Sequence, residues 1–381
     1  MALVIDKHLV DAGWEDVLAW LPPDLDEMAL ASGGFQRRRI IRKASVLLRL
    51  VLAYSVLDLS LRGVAIWARE QDVVEVSDVA VLKRLRRAGP FLESLLAWLL
   101  ARGLQQPASA EVPLRIRLVD ATTVSAPGSA GTDWRIHASY DPVSRRFDRL
   151  ELTDARGGEH LGRFAAGPGD LLVGDRGYAH ARRIAEARER GAHVLVRIGH
   201  RAVPLVDEHG ERVDILAFAT RRRSKPGRPP RVEEMPAFIQ AQDGRKWPVR
   251  IIVVRKSQAA ADKERRRINR EARRRGHTPS QRTLQAAAYT FLLSTVPERM
   301  ASRVDLAELY RVRWQIELAF KRLKSLVHLD ALRAHDPALA RTYILGNLIA
   351  AALIQLVAHG ARSFSPWGVP LRQPPSQPVA T

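Results

Sequence analysis

The sequence predicts an α/β protein with a helical N-terminal region, and three patterns carry that prediction. Leu114, Ile116 and Leu118 alternate with Arg115 and Arg117, the period of a strand with one buried face. Short apolar runs recur at Leu171 to Val173 and Tyr289 to Thr295, with helical spacing between them. Residues 1 to about 105 show helical periodicity almost throughout. Strands that alternate with helices fit a layered sheet better than a sandwich.

At 381 residues the chain is long enough for two or three domains and a sizeable core. Lys and Arg total 61 against 41 Asp and Glu, a net charge of +20. A field of that sign attracts polyanions and makes nucleic acid the leading partner, ahead of an anionic membrane surface. No segment reads as a membrane span: the best stretch, Leu47 to Leu57, is interrupted by Arg49. There is no cysteine, so disulfides and thiolate-zinc sites are excluded. The start of the chain lacks a charged segment followed by a long apolar one, so a signal peptide is not expected and a cytoplasmic, nucleoid-associated location is.

The first region, 1–108, is expected to be helical and to bind DNA. Its Arg37 to Arg39, Arg42 and Lys43 precede a helix from Ser45 to Leu61, and Ser60 to Ala68 and Ser77 to Ala88 follow as two shorter helices, the second basic. That outline fits a helix-turn-helix reader, and it equally fits a plain bundle with a solvated basic face. Pro107 and Pro113 bracket a linker. The span 109–200 begins with the Leu114 strand, expected to end at Asp120. Trp134 to Tyr140 and Arg149 to Thr153 read as two strands about the turn Asp141 to Ser144, and Leu171 to Val173 as a strand leading to Asp175 and a helix from His180 to Arg190.

The span 201–285 reads as β-rich. Val203 to Val206 and Arg212 to Phe218 look like a hairpin about Glu208 to Gly210, and Val249 to Val254 is a further strand. A basic linker, Arg221 to Arg231, contains Gly227-Arg228-Pro229, and a strongly basic helix runs from Ala259 to Arg275. In 286–360 a strand at Tyr289 is followed by a helix from Arg303 to Val327, with Ser302 and Asp305 as its cap pair, and by a last helix from Pro337 to His359. The Pro-rich stretch 361–381 is expected to be disordered.

Three acids stand out. Asp120 shares the parity of Leu114, Ile116 and Leu118, so a carboxylate continues the apolar side of its strand. Such a group needs a cation, a solvated strand end or a metal. Asp175 follows a second apolar strand, at the edge where open α/β sheets bind ligands. On the helix from Arg303, Tyr310, Arg313, Glu317, Lys321 and Lys324 fall within a sector of roughly 80°. This face sets a carboxylate among cations, suited to a metal and to phosphate oxygens; a solvated face of Glu-Lys pairs gives the same spacing. His137, His180, His200 and His277 lack paired metal-ligand spacing.

Val119-Asp120-Ala-Thr-Thr, Gly131-Thr-Asp-Trp-Arg-Ile-His137, Val173-Gly-Asp175-Arg-Gly-Tyr178 and Tyr310-Arg-Val-Arg-Trp-Gln-Ile-Glu317 with Lys324 resemble the DDE transposases of the bacterial insertion sequence four group. The resemblance covers roughly residues 113 to 355 and includes the family's Tyr, Arg, Glu, Lys signature. It implies a ribonuclease-H-like catalytic core with a β-rich insertion between the second Asp and the Glu. It also implies that Asp120, Asp175 and Glu317 are catalytic and hold two Mg²⁺ (or Mn²⁺) ions for DNA cleavage and strand transfer. Tyr310, Arg313 and Lys324 would hold the DNA end, with Trp314 and Lys321 beside them, and Trp247 is the nominee in the insertion for stacking on a flipped base. The expected partner is double-stranded DNA, both terminal inverted repeats and target, with two copies of the chain in the synaptic complex. Two alternatives stay open from the residues: a DNA-binding regulator or relic without turnover, and a nuclease that cuts without joining.

Overall fold

In the computed structural model the described residues are 13–34, 40–102, 114–129, 131–221, 232–240, 244–327, 329 and 332–362. The linker about Pro107 to Pro113, the Gly227-Arg228-Pro229 segment and positions 363–381 of the tail lie outside them. Helices α1 (Trp14–Leu18), α2 (Leu25–Ala31), α3 (Ala44–Ser55), α4 (Leu61–Glu70), α5 (Asp78–Leu85) and α6 (Gly89–Arg102) come first. Ser60 and Ser77 cap α4 and α5, their hydroxyls accepting from Gly63 N at 3.0 Å and Ala80 N at 3.2 Å. Strands β1 (Arg115–Val124), β2 (Trp134–Asp141) and β3 (Arg146–Asp154) form an antiparallel meander. Next come β4 (Asp170–Gly174), α7 (Ala181–Glu189), β5 (His193–Ile198), β6 (Leu205–Val206), α8 (Ile215–Arg221), β7 (Val232–Gln240) and β8 (Lys246–Arg255). The chain closes with α9 (Gln258–Arg274), α10 (Gln281–Ala286), β9 (Tyr289–Ser294), α11 (Arg303–Arg311), α12 (Trp314–Val327) and α13 (Pro337–Arg362).

Among the described residues the strands make one nine-stranded sheet in the order β3-β2-β1-β4-β5-β9-β8-β7-β6. Strands β1, β4 and β5 are parallel; β9 returns antiparallel to β5, and β8 and β7 continue beyond it. The strands of the 201–285 span are therefore one wing of this sheet. Successive side chains leave opposite faces, so Leu118, Leu171, Val173 and Leu195 enter one core while Val119, Leu172, Val194 and Val196 enter another. The first core also holds α3, α6, α12 and α13; the second holds α7 and α8.

Five local expectations need correction. The first strand does not stop at Asp120: β2 keeps pairing it from Leu118↔Tyr140 to Val124↔Trp134, and a partnered backbone has no reason to leave the ladder. Arg117 does not face water. It is 5% exposed, its Nε donating to Asp148 Oδ2 at 2.8 Å and to Ser139 Oγ at 3.2 Å. Arg212 to Phe218 is no strand, because the Asp214 carboxylate accepts from Leu216 N and Ala217 N and starts α8. The helix from Arg303 to Val327 is broken between α11 and α12 by successive three-residue hydrogen bonds, Val312 N to Leu309 O and Arg313 N to Tyr310 O. Its expected cap is present as a capping box between Ser302 and Asp305.

The fifth correction concerns the membrane. Pro337–Val357 is long and apolar enough to cross one, yet 78% of that window is buried within the fold. Helix α13 is a core element, packed against α3, α6, α12 and β3. At the α3 contact a side chain on Gly346 would place its Cβ 2.4 Å from Ser55 Oγ and 2.9 Å from Val51 Cγ1. Gly346→Leu is thus expected to lower stability by about 1–3 kcal/mol through overpacking, read as a lower midpoint of thermal unfolding. Asp148→Ala removes the carboxylate to which Arg117 and Arg115 both donate, leaves Arg117 with Asp170 at 3.5 Å, and should cost about 1–3 kcal/mol. A chemical denaturation curve superimposable on the parent's would contradict that.

Candidate active site at the carboxyl ends of the parallel strands

The last residue pair of the β1–β4 ladder is Leu118↔Val173. Asp120 and Asp175 each lie two residues further along their own chains, so the register brings both acids to the same edge of the sheet. Asp120 leaves β1 on the face of Leu118, the side on which Ile316 and Phe320 of α12 are packed. Asp175 ends its strand by accepting from Gly177 N at 2.8 Å and capping the short turn Arg176–Tyr178.

Gly177 reveals a further acid. A Cβ there would stand 2.6 Å from Glu159 Oε2 and 3.1 Å from Asp175 Oδ1; only glycine leaves room for both carboxylates. Glu159 sits in the loop after β3, with Oε1 3.7 Å from Arg135 Nε. Nothing in the sequence patterns singles it out.

The break between α11 and α12 falls where Arg313 enters the site. Its guanidinium lies 3.6 Å from Asp120 Oδ2 and also pairs with Glu317 Oε1. Arg313 thereby links the acid of β1 to the acid of α12. Tyr310 is partly buried beside Arg313 and within electrostatic reach of Arg197 and Asp175. Lys324 Nζ donates to Thr123 O at 3.0 Å and ties α12 to β1 beyond Asp120. Trp314 is 53% exposed and borders, with Tyr310, Arg313 and Arg197, an open cavity of about 850 Å³. Lys321 is exposed and makes no ion pair among the described residues.

Trp247 is not brought to this place. Residue pairs Arg250↔Ser294 and Leu195↔Ser294 align β8 with β5. Trp247, three residues before Arg250, therefore lies toward the amino end of the parallel strands. It packs on the second core, away from the face of Asp120, with the Arg245 guanidinium 5.8 Å from its ring. Strand direction decides this, and residue composition does not reveal strand direction.

Burial pushes the Asp120 carboxyl up to about 6; the Ala121 N–H donated at 2.8 Å opposes this, the charge of Asp175 reinforces it, and Arg313 opposes it. Glu159 is also raised, by burial and by Asp175. Tyr178 is raised by burial and by Asp120, Glu159 and Asp175, and its buried hydroxyl has no hydrogen-bond partner among the described residues. Burial and nearby arginines hold His137 down to about 3, so it stays neutral.

Among the described residues no three His, Asp or Glu side chains already form a metal cluster. Asp120, Asp175 and Glu317 nevertheless offer hard oxygen donors. Arg313 already supplies positive charge between Asp120 and Glu317, and the orphaned Tyr178 hydroxyl is within electrostatic reach of Asp120 and Asp175. The donor set fits a divalent cation.

The sheet and its carboxylate edge define an α/β protein of the transposase class: residues 112–353 match the family described as Transposase DDE domain. The chain is 40% identical over 357 residues to the putative transposase InsL for insertion sequence element IS186A of Escherichia coli K12, covering 93% of this chain and 96% of that protein. It is 39% identical over 358 residues to the transposase for insertion sequence element IS421 of Escherichia coli, with the same coverage. The transposase for insertion sequence element IS231F of Bacillus thuringiensis subsp. israelensis is 24% identical over 267 residues, 62% of this chain and 55% of that one. The chain belongs to the DDE transposases of the insertion sequence four group. Enzymes of this family are divalent-metal dependent and act on DNA.

The raised Asp120 has a stability consequence. Its folded value, near 6, exceeds the ordinary 3.8, so the charged form costs stability above that value and the cost disappears as pH falls from about 6 toward 4. Asp120→Asn, in EDTA at pH 7.5, is expected to stabilise the fold by about 1–3 kcal/mol. Thermal unfolding checks this: the gain should shrink at pH 4.5, and a destabilised variant at pH 7.5 would refute it.

Proposed function

We propose that this enzyme performs cut-and-paste transposition, cleaving the ends of an insertion sequence and joining them to target DNA, with Asp120, Asp175 and Glu317 as its metal-holding acids. The observation that carries this is the coupling of three distant positions at one sheet edge, two by matched strand register and the third through Arg313. The order β3-β2-β1-β4-β5, three antiparallel strands followed by two parallel ones, supports a ribonuclease-H-like core extended by the β6–β9 wing.

When bound, Mg²⁺ or Mn²⁺ supplies Lewis-acid polarisation of the phosphodiester. The chain's own groups do the positioning. Asp120 and Asp175 stand on rigid strands, and Glu317 is steered toward them by its pairing with Arg313. Arg313, Lys321 and Lys324 present donors to phosphate oxygens, Tyr310 adds a phenol next to Arg313, and Trp314 offers an exposed ring to a base at the cavity mouth. The helical region 1–108 takes the terminal repeat, and two copies hold two ends on nucleoid DNA in the cytoplasm.

Incubation of the protein with duplex carrying the element's terminal repeat tests this reading. Strand cleavage with Mg²⁺ and none with EDTA is expected, and Asp120→Ala should lower the rate by at least about 10³-fold, the scale of a lost metal or oxyanion contact, with duplex binding retained. Cleavage that survives in Asp120→Ala would overturn the assignment. Products joined to a target plasmid separate transposition from simple hydrolysis.

A further inference from the structure

Helix α9 carries a charge pattern that the catalytic site does not use. Its three acids are all engaged: Asp262 with Arg265 at 2.6 Å, Glu264 with Arg267 at 2.8 Å, and Glu271 with Arg275 at 2.8 Å. Lys263, Arg266, Arg270, Arg273 and Arg274 make no ion pair or side-chain hydrogen bond among the described residues, and all five are exposed. Their spacing confines them to a sector of roughly 100°, opposite the side that buries Ala261 and Ala272. From Lys263 to Arg274 the stripe is about 16 Å long. Duplex DNA presents a phosphate on each strand about every 3.4 Å of helix axis, so at most four or five phosphates of one strand fall within that length.

The sheet fixes where this stripe begins. Pairs Val253↔Phe291 and Ile198↔Phe291 align the carboxyl end of β8 with that of β5, and α9 starts three residues after β8, capped by Ser257. Lys256, Glu264 and Arg267 border a small cavity of about 110 Å³ together with His200 and Arg176. Arg176 is the residue next to Asp175. Neither Arg176 nor Lys256 has an ion-pair partner among the described residues, and Lys256 is held below the ordinary lysine range by burial, then by Arg197. Arg176 and Lys256 thus stand at the carboxyl edge of the sheet against the Glu264–Arg267 side of α9, and the unpaired stripe runs along the outer face of the same helix.

We infer that this face of α9 is a backbone rail for the duplex whose strand is cut at the carboxylates, contacting phosphates outside the Tyr310–Lys324 wall. The inference rests on the proposed DNA cleavage. Each acid of α9 is neutralised by an arginine of the same helical region, so the surplus positive charge lies on the outer face, and the contact of Arg176 and Lys256 with the first turns of the helix fixes where the surface starts. Contacts of this kind position DNA without reading its sequence.

The chain has no cysteine, so Arg270→Cys creates a unique thiol. In EDTA, with terminal-repeat duplexes carrying a thiol tether at successive phosphates, a disulfide is expected only for tethers within about one helical turn of the cleavage position. Arg190→Cys, at the amino end of β5, should stay uncrosslinked. In parallel, Lys263→Ala, Arg266→Ala, Arg270→Ala and Arg273→Ala combined should flatten the slope of log K against log salt by about 3 to 4, near 0.9 per lost phosphate contact. Equal crosslinking at both positions, or crosslinking only to tethered target duplex, overturns the rail. So does an unchanged salt slope. A parent protein that binds and cuts the repeat while Arg270→Cys stays unlinked isolates the failure to the rail; a parent that does neither overturns the function itself.

Discussion

Parallel pairing of β1 with β4 is the constraint on which the rest of the molecule depends. Two strands more than fifty positions apart in sequence must run in the same direction and in fixed register before Asp120 and Asp175 can meet. Parallel neighbours need a long connection, and here β2, β3 and the loop bearing Glu159 occupy it. The same crossover that makes the parallel pair thus delivers a further carboxylate to its edge. Farther out, β8 runs in the same direction as β5 because both pair antiparallel with β9, so it brings the chain back to that edge and launches α9 from it.

Like charges gathered in this way oppose folding. Burial and the charges of Asp175 and Glu159 raise the proton affinity of Asp120, burial and Asp175 raise that of Glu159, and the Tyr178 hydroxyl is buried close to all three. Arg313 offsets part of the strain by pairing with both Asp120 and Glu317. At the opposite end of β1 the buried charges are paired: Arg117 and Arg115 both donate to Asp148 Oδ2. One strand therefore carries a neutralised buried cluster at its amino end and an acid-rich one at its carboxyl edge.

The candidate acids were legible because a carboxylate on the apolar side of a strand conflicts with burial, as at Asp120, or follows an apolar strand, as at Asp175. Glu317 was nominated by its spacing from Tyr310 and Arg313 and by the family resemblance, although a break between α11 and α12 interrupts the helix assumed for that spacing. The Ser302–Asp305 cap could be read because its chemistry is local. What escaped reading depends on partners remote in sequence. Glu159 lies in a loop whose only neighbours are Gly157, Gly158 and His160, and its role comes from Gly177 across the fold. Arg117 looked solvent-facing because alternation cannot report that Asp148 covers that side. Trp247 looked available until strand direction carried it away. The α11–α12 break has no Pro or Gly to mark it; it coincides with the insertion of Arg313 toward Asp120.

Helix α13 has a consequence for how the polypeptide reaches its native state. The apolar surfaces of α3 and α6 are closed by a segment that begins only at Pro337. During synthesis, at roughly 5 to 20 residues per second, those surfaces wait on the order of 10 to 50 seconds for their partner to leave the ribosome. Nascent chains accordingly pass through a long interval with sticky, unsealed helices, and an interrupted translation product lacks the lid altogether. Termination before α13 should therefore yield aggregation-prone fragments rather than a trimmed working enzyme.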